Sequence, residues 1–244
     1  MNNTTSVSED ELKKAAVTFA KSHGKSIVKQ LTDPGIYHPS PTPISVFMAG
    51  SPGAGKTEFS KNFISSLEIN SQLRVVRIDG DELRSSLPGY SGSNSHLFQG
   101  AISILVEKMH DVVLAQQQSF VLDGTLSRYE KAVANIQRSL NKGRIVSIFY
   151  IYQKPEIAWQ FTQQREQAEG RHIPKAAFIQ QFCDARDTIQ SVHEQFGKKV
   201  HIFLVKKDFQ KNEVEDVIEL DEDQTPVDYY IPQGYTKEDL TRLL

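Results

Sequence analysis

The spacing of apolar positions changes repeatedly along the chain. In SVSEDELKKAAVTFAKSHGKSIVKQL (residues 6–31) apolar residues recur every three or four positions, which predicts an α-helix. Ser8 followed by Glu11 supplies a capping box, and Gly24 is expected to interrupt or end the first segment. The proline-rich DPGIYHPSPTP cannot continue a helix. Short apolar runs rich in β-branched and aromatic residues follow and read as buried strands. They are ISVFMAG (44–50), LRVVRID with its strand near 75–78, SFVLDGT, RIVSIFYIY and KVHIFLVKK. Helical spacing returns between them in KTEFSKNFISSL, HLFQGAISILVEKMHDVVLAQQ, YEKAVANIQRSLNKG, PEIAWQFTQQREQAEG and PKAAFIQQFCDARDTIQSVHEQFG. The last two open on proline and close on glycine, as helices do.

Strands that alternate with helices predict an α/β fold. The expected architecture is a mainly parallel sheet of about five strands with helices on both faces, plus an N-terminal helix. VEDVIEL is a candidate additional strand and TKEDLTRLL a closing helix. The chain divides by this reading into an N-terminal helical extension and linker (1–40), a core (41–207) and a C-terminal extension packing on the core (208–244). No internal repeat is present.

The first strand runs directly into Gly50-Ser51-Pro52-Gly53-Ala54-Gly55-Lys56-Thr57, and a helix follows. This is G-x-x-x-x-G-K-[ST] in its required strand–loop–helix context. Phosphate accounts for each residue. Glycines let backbone N–H groups curl around an anion, and the helix start adds its positive end. Lys56 reaches the β- and γ-phosphates, and the Thr57 hydroxyl suits Mg²⁺. The expected fold is therefore the P-loop kinase type, with ATP or GTP as phosphate donor and Mg²⁺ as cofactor.

A phosphate loop alone does not separate kinases, GTPases and motor ATPases. An N-K-x-D-like guanine reader is absent from the sequence. Two strand ends carry carboxylates. Asp81 in RIDGDEL reads either as a base for an acceptor hydroxyl or as a helix cap. Asp123 in VLDGT reads either as the carboxylate that holds the metal through water or as a turn aspartate. Arg165 and Arg171 lie near a helix end and in the loop EGRHIP, where they could neutralise a migrating phosphoryl group. His172 reads as a loop residue, and Glu107 by itself is a polar-face residue of the long helix.

Composition narrows the picture further. The net charge of −2 provides no global basic field for nucleic acid. The single cysteine, Cys183, excludes an internal disulfide and reads as a small buried side chain. No apolar run approaches the ~18 residues of a membrane helix, and the N-terminus lacks a signal-peptide pattern. A cytoplasmic protein without membrane or nucleic-acid partners is expected; an exported effector would carry the same features.

Taken together, GSPGAGKT, RIDGDELR, a glutamate in the long helix, LDGT and REQAEGRHIPKAAF resemble the zeta-toxin family of bacterial kinases. The resemblance runs from about Ile44 to Val205. It implies ATP- or GTP-dependent phosphorylation of the 3′-hydroxyl of UDP-N-acetylglucosamine, and an antitoxin protein as a possible partner. Carried over, Lys56 is the phosphate-binding lysine, Thr57 the metal-side hydroxyl and Asp81 the catalytic base. Glu107 contacts the substrate, and Arg165 with Arg171 grips the nucleotide phosphates. Asp123 stands where known members have glutamate, and LPGYSGSNSHLFQG is shorter than the corresponding region. The N-terminal helix is a candidate replacement for a docking element that an antitoxin supplies elsewhere. Alternative readings are a kinase for another small molecule, such as an antibiotic or a nucleotide cofactor, and a nucleotide-binding regulatory ATPase. Acceptor-side carboxylates favour a kinase, because a switch needs no hydroxyl base.

Overall fold

A computed structural model describes residues 8–71, 73–170, 172–208, 214–220, 225–231 and 234–244. Its sheet has six strands: β1 (Ile44–Ala49), β2 (Val76–Asp79), β3 (Phe120–Asp123), β4 (Ile145–Tyr152), β5 (His201–Lys207) and β6 (Val214–Glu219). Their order is β2-β3-β1-β4-β5-β6. The first five are mutually parallel, and β6 runs antiparallel to β5 at one edge. Five of the six residues of β1 are buried, as a central strand covered on both faces requires.

Helices fill the crossovers: α2 (Lys56–Ser71), α3 (Gly80–Arg84), α4 (Gln99–Ala115), α5 (Tyr129–Leu140), α6 (Pro155–Glu169) and α7 (Lys175–Phe196); α1 (Glu9–Leu31) precedes β1, and α8 (Val227–Tyr230) and α9 (Lys237–Leu243) follow β6. Two apolar clusters cover the sheet. The smaller joins Val46, Met48, Val121, Phe149 and Ile151 to Phe59, Phe63 and Leu67 of α2. The larger holds α4, α5 and α7, and also takes in Ala16, Ala20 and Val28 of α1 and Val227, Ile231 and Leu240 of the C-terminal segment. Cys183 is buried there, and burial pushes its thiol up.

The Ser8–Glu11 capping box forms as expected, with Ser8 N–H donating to Glu11 Oε2 at 2.9 Å. Gly24 departs from expectation. It neither interrupts nor ends α1, which is continuous to Leu31. A Cβ there would meet Lys108 Cδ at 2.9 Å and Leu105 Cδ2 at 3.2 Å. Its bare backbone therefore admits the close approach of α1 to α4, which offsets the ~1 kcal/mol a mid-helix glycine costs. The strand expected near 75–78 is shifted one residue, to Val76–Asp79.

The two ends of the sheet differ in chemistry. At the N-terminal ends of the strands, buried Arg144 donates Nε to Ser45 Oγ at 2.6 Å and Nη2 to the Ile44 and Gln118 carbonyls at 2.9 and 2.5 Å. Burial lowers its pKa to about 10. The loops that carry candidate chemistry gather at the opposite, C-terminal ends, where ligands of open α/β sheets bind. Among the described residues no helix is long and apolar enough to cross a membrane.

Candidate active site

The loop after β1 has the backbone that its glycines predict. Gly50, Gly53 and Gly55 have φ of 131°, 72° and 87°. A Cβ on Gly53 would lie 2.0 Å from the Ala158 carbonyl oxygen and 2.7 Å from Thr162 Oγ1. The loop is thus seated directly on α6. Gly50 N–H donates to the Thr125 carbonyl at 3.1 Å, which ties the loop to the segment after β3. Lys56 Nζ donates to the Gly50 and Ser51 carbonyls at 3.0 and 2.6 Å, so the ammonium lies over the mouth of the loop. Thr57 is in the first turn of α2.

Asp79 and Asp123 end adjacent strands in direct register. Between them sits Arg77, whose Nη2 lies 2.5 Å from both Asp79 Oδ2 and Asp123 Oδ2. Its Nη1 pairs with Glu82, and its Nε donates to Ser60 Oγ at 3.2 Å. Ser60 Oγ in turn donates to Asp123 Oδ2 at 2.9 Å and to the Thr57 carbonyl at 3.0 Å. Burial disfavours the Arg77 charge, but the carboxylates of Asp123, Asp79 and Glu82 outweigh it and hold its pKa above the ordinary value. Burial, reinforced by Asp123, raises the Asp79 carboxyl, against the pull of Arg77 and the Asp81 N–H.

Two aspartates in RIDGD leave open which one caps α3. It is Asp79, whose side chain accepts the Asp81 N–H at 2.8 Å. The cap reading of Asp81 is therefore corrected. The Asp81 side chain is 36% exposed. Arg84 Nη1 donates to its Oδ1. Its Oδ2 lies 3.6 Å from Nη2 of Arg165, which reaches over from α6 and also pairs with Glu169 at 3.1 Å. Burial disfavours the Arg165 charge; Glu169, then Asp81 and Asp79, more than compensate, and its pKa is raised.

The structure thus brings Lys56, Thr57, Asp123, Asp81 and Arg165 to the C-terminal end of the sheet. Glu107 belongs to a different cluster. Its carboxylate accepts from Arg138 of α5 at 2.5 Å and lies 3.9 Å from Lys131 Nζ, and Arg138 also holds Asp111. Arg171 falls outside the described residues. His172 lies in the loop after α6, its Nδ1 2.7 Å from Glu166 Oε1.

Residues 29–224 match the family model described as Zeta toxin, most of the chain. The chain belongs to the zeta toxin family. Toxin PezT of Streptococcus pneumoniae serotype 4 (strain ATCC BAA-334 / TIGR4) is 28% identical over 127 residues, 49% of this chain. The chain spans about half the length of that curated relative, 49%. Among solved structures, a chain of the PezAT chromosomal toxin–antitoxin system of the human pathogen S. pneumoniae superposes with a TM-score of 0.68 at 19% identity. The match covers 93% of this chain and 92% of that one. A chain of the AvrRxo1-ORF1:-ORF2 complex solved with ATP gives 0.56 at 19% identity, over 87% of this chain and 66% of that one. The shared fold is the P-loop kinase-like fold of zeta toxins.

Against that family background, four site residues stand out that the motifs alone did not single out: Ser60, Arg77, Arg84 and Gln99. Periodicity held part of the signal. Arg77 is two positions before Asp79 and shares its strand face. Ser60 is one helical turn after Thr57, and Arg84 one turn after Asp81. Among the described residues no group of three or more His, Cys, Asp or Glu could hold a metal ion. The candidate donors are one carboxylate, Asp123, and one hydroxyl, Thr57. That suits Mg²⁺, which keeps several waters and takes much of its coordination from nucleotide phosphates.

Proposed function

We propose that the protein is a kinase that transfers the γ-phosphate of ATP or GTP to a sugar hydroxyl, with UDP-N-acetylglucosamine as the acceptor. The observation that carries this reading is the ion pair of Asp81 with Arg165 at the C-terminal end of the sheet, which also bears the phosphate loop. A base for the acceptor and a cation for the migrating group then stand side by side. The family membership and the likeness to a chain solved with ATP support it.

In this reading the backbone of residues 50–57 cradles the phosphates, and Lys56 turns from the loop carbonyls to the β- and γ-phosphates. Thr57, with Asp123 acting through water, would hold Mg²⁺, which supplies charge neutralisation at the phosphates when bound. Asp81 accepts the proton of the attacking hydroxyl. Arg165 leaves the carboxylates of Asp81 and Glu169 for the phosphoryl group, and Arg171 joins it. Glu107, which lies in a separate cluster, would reach the acceptor only by giving up its pairing with Arg138. A protein antitoxin is the expected partner, as the PezAT system of the solved relative suggests.

The test is mass spectrometry of a metabolite extract incubated with the protein, ATP and Mg²⁺, with UDP-N-acetylglucosamine added in a parallel sample. A nucleotide-sugar that gains one phosphate supports the proposal. A phosphate gained only by a metabolite of another class would overturn the acceptor, and no phosphorylated product at all would overturn the kinase.

A further inference from the structure

Arg84 closes the five-residue helix α3 and is 5% exposed. Its Nη1 donates to Asp81 Oδ1, its Nη2 to Gln99 Oε1 at 3.3 Å, and its buried Nε has no hydrogen-bond partner among the described residues. A surface i,i+3 pair would contribute only a few tenths of a kcal/mol to a helix. This one is turned inward, where an arginine is costly to bury. The Asp81 carboxylate therefore spans from the interior to the site. Oδ1 meets a buried guanidinium, and Oδ2 faces Arg165, which is half-buried and shared with Glu169.

We propose that Arg84 is the positioning residue of the phosphoryl-transfer base: it holds Asp81 ionised through Oδ1, so that Oδ2 is the oxygen that takes the acceptor's proton. This rests on the reading of Asp81 as the base. In the step, the hydroxyl oxygen bonds to the γ-phosphorus and its proton passes to Asp81 Oδ2. The bond from the γ-phosphorus to the β–γ bridging oxygen breaks, and its electron pair leaves on the nucleoside diphosphate. Arg84 exchanges no proton. Its hold from below survives the departure of Arg165 to the phosphates, which is the moment when the base needs both its charge and its orientation.

Among the described residues, the charged groups that face Asp81 include Arg84 on its own helix, Arg165 and behind it Glu169 on α6, and Asp79 at the end of β2; Gln99 of α4 is neutral. The test is an NMR titration of full-length protein labelled at the aspartate carboxyl carbon, the Asp81 signal being identified by its loss in Asp81→Asn. Arg84→Gln is expected to raise the Asp81 midpoint by about one pH unit, a tenfold change in proton affinity, and Arg84→Lys to restore most of it. Arg165→Gln should move the midpoint less than Arg84→Gln. A midpoint within about 0.3 units of wild type in Arg84→Gln would overturn the proposal. If that variant does not fold, Gln99→Leu, which releases Nη2 but keeps the charge, should shift the midpoint upward by a smaller amount, and no shift there would overturn it equally. Turnover on UDP-N-acetylglucosamine gives a second readout. Arg84→Gln should lower kcat about 10- to 100-fold with the KM for ATP little changed, and should cost little more in an Asp81→Asn background. A full further loss in that background would mark Arg84 as independent of the base. The titration needs no acceptor, so a wild-type protein inert toward this sugar nucleotide would count against the acceptor and leave Arg84 to the titration.

Discussion

Asp81 Oδ2 and Arg165 Nη2 stand 3.6 Å apart, joining the segment after β2 to the last turns of α6. Neither charge is committed to the other alone: Arg84 holds the far side of the aspartate, and Glu169 shares the arginine. Arg165 can therefore exchange carboxylates for phosphate oxygens while Asp81 keeps Arg84 and Glu169, half exposed, turns to solvent. Arg165→Ala is expected to lower turnover on the order of 10³-fold and to weaken ATP binding far less, as read by steady-state kinetics beside a fluorescence titration. Equal losses in both would make it a plain binding residue.

Lys56→Ala removes the ammonium that lies across the loop mouth on the Gly50 and Ser51 carbonyls. ATP affinity should fall about 10- to 100-fold, with transfer abolished and the melting temperature nearly unchanged. Calorimetric titration and a melting curve check this, and wild-type phosphorylation in the variant would remove the loop from the mechanism.

Gly53→Ala places a methyl group where the Ala158 carbonyl oxygen is 2.0 Å away and φ is 72°. The loop must lift from α6. A loss of about 1–3 kcal/mol of stability is expected, together with loss of ATP binding. Denaturant melts measure the first, and unchanged stability would mean that the loop does not depend on its seat on α6.

His110 is buried edge-on to Phe47 and Phe120, and burial, followed by the charges of Arg138, Arg144 and Lys131, lowers its pKa to about 3. The unfolded chain takes up this proton near pH 6.5 and the folded protein does not. Stability from this group is therefore complete above pH 6.5 and declines as the pH falls from there toward 3. Between pH 7 and 5 the loss should be about 2 kcal/mol. His110→Phe should flatten that slope in denaturant melts at several pH values, and an equally steep slope in the variant would assign it to other groups.

Local signals in the sequence carried the layout of the site, and long-range pairings were beyond them. The strand–glycine loop–helix order and the carboxylates at strand ends are contiguous features, and the parallel sheet carries them to its C-terminal end. RIDGD contains two aspartates one glycine apart, and only the backbone geometry decides that Asp79 caps α3. Gly24 read as a break because its compensation comes from α4, some 80 residues away in sequence. Nothing local to Arg77 announces its pairing with Asp123, which is 46 positions along the chain. Glu107 meets Arg138 through α5 packing, which no pattern within α4 announces.

The rate of phosphoryl transfer by Asp81→Asn tests the central claim most directly. Asparagine keeps the size of the side chain and an oxygen for Arg84, and the cap of α3 belongs to Asp79. The variant should bind ATP as wild type does, since in this reading Lys56 and the loop hold the phosphates, and should melt below wild type while still folding, because buried Arg84 loses its charged partner. Transfer to UDP-N-acetylglucosamine, followed by mass spectrometry of the product, should fall by ~10²-fold or more because the basic site is gone. A variant that transfers phosphate at close to the wild-type rate would contradict the assignment of Asp81 as the base, and with it the mechanism built on this end of the sheet.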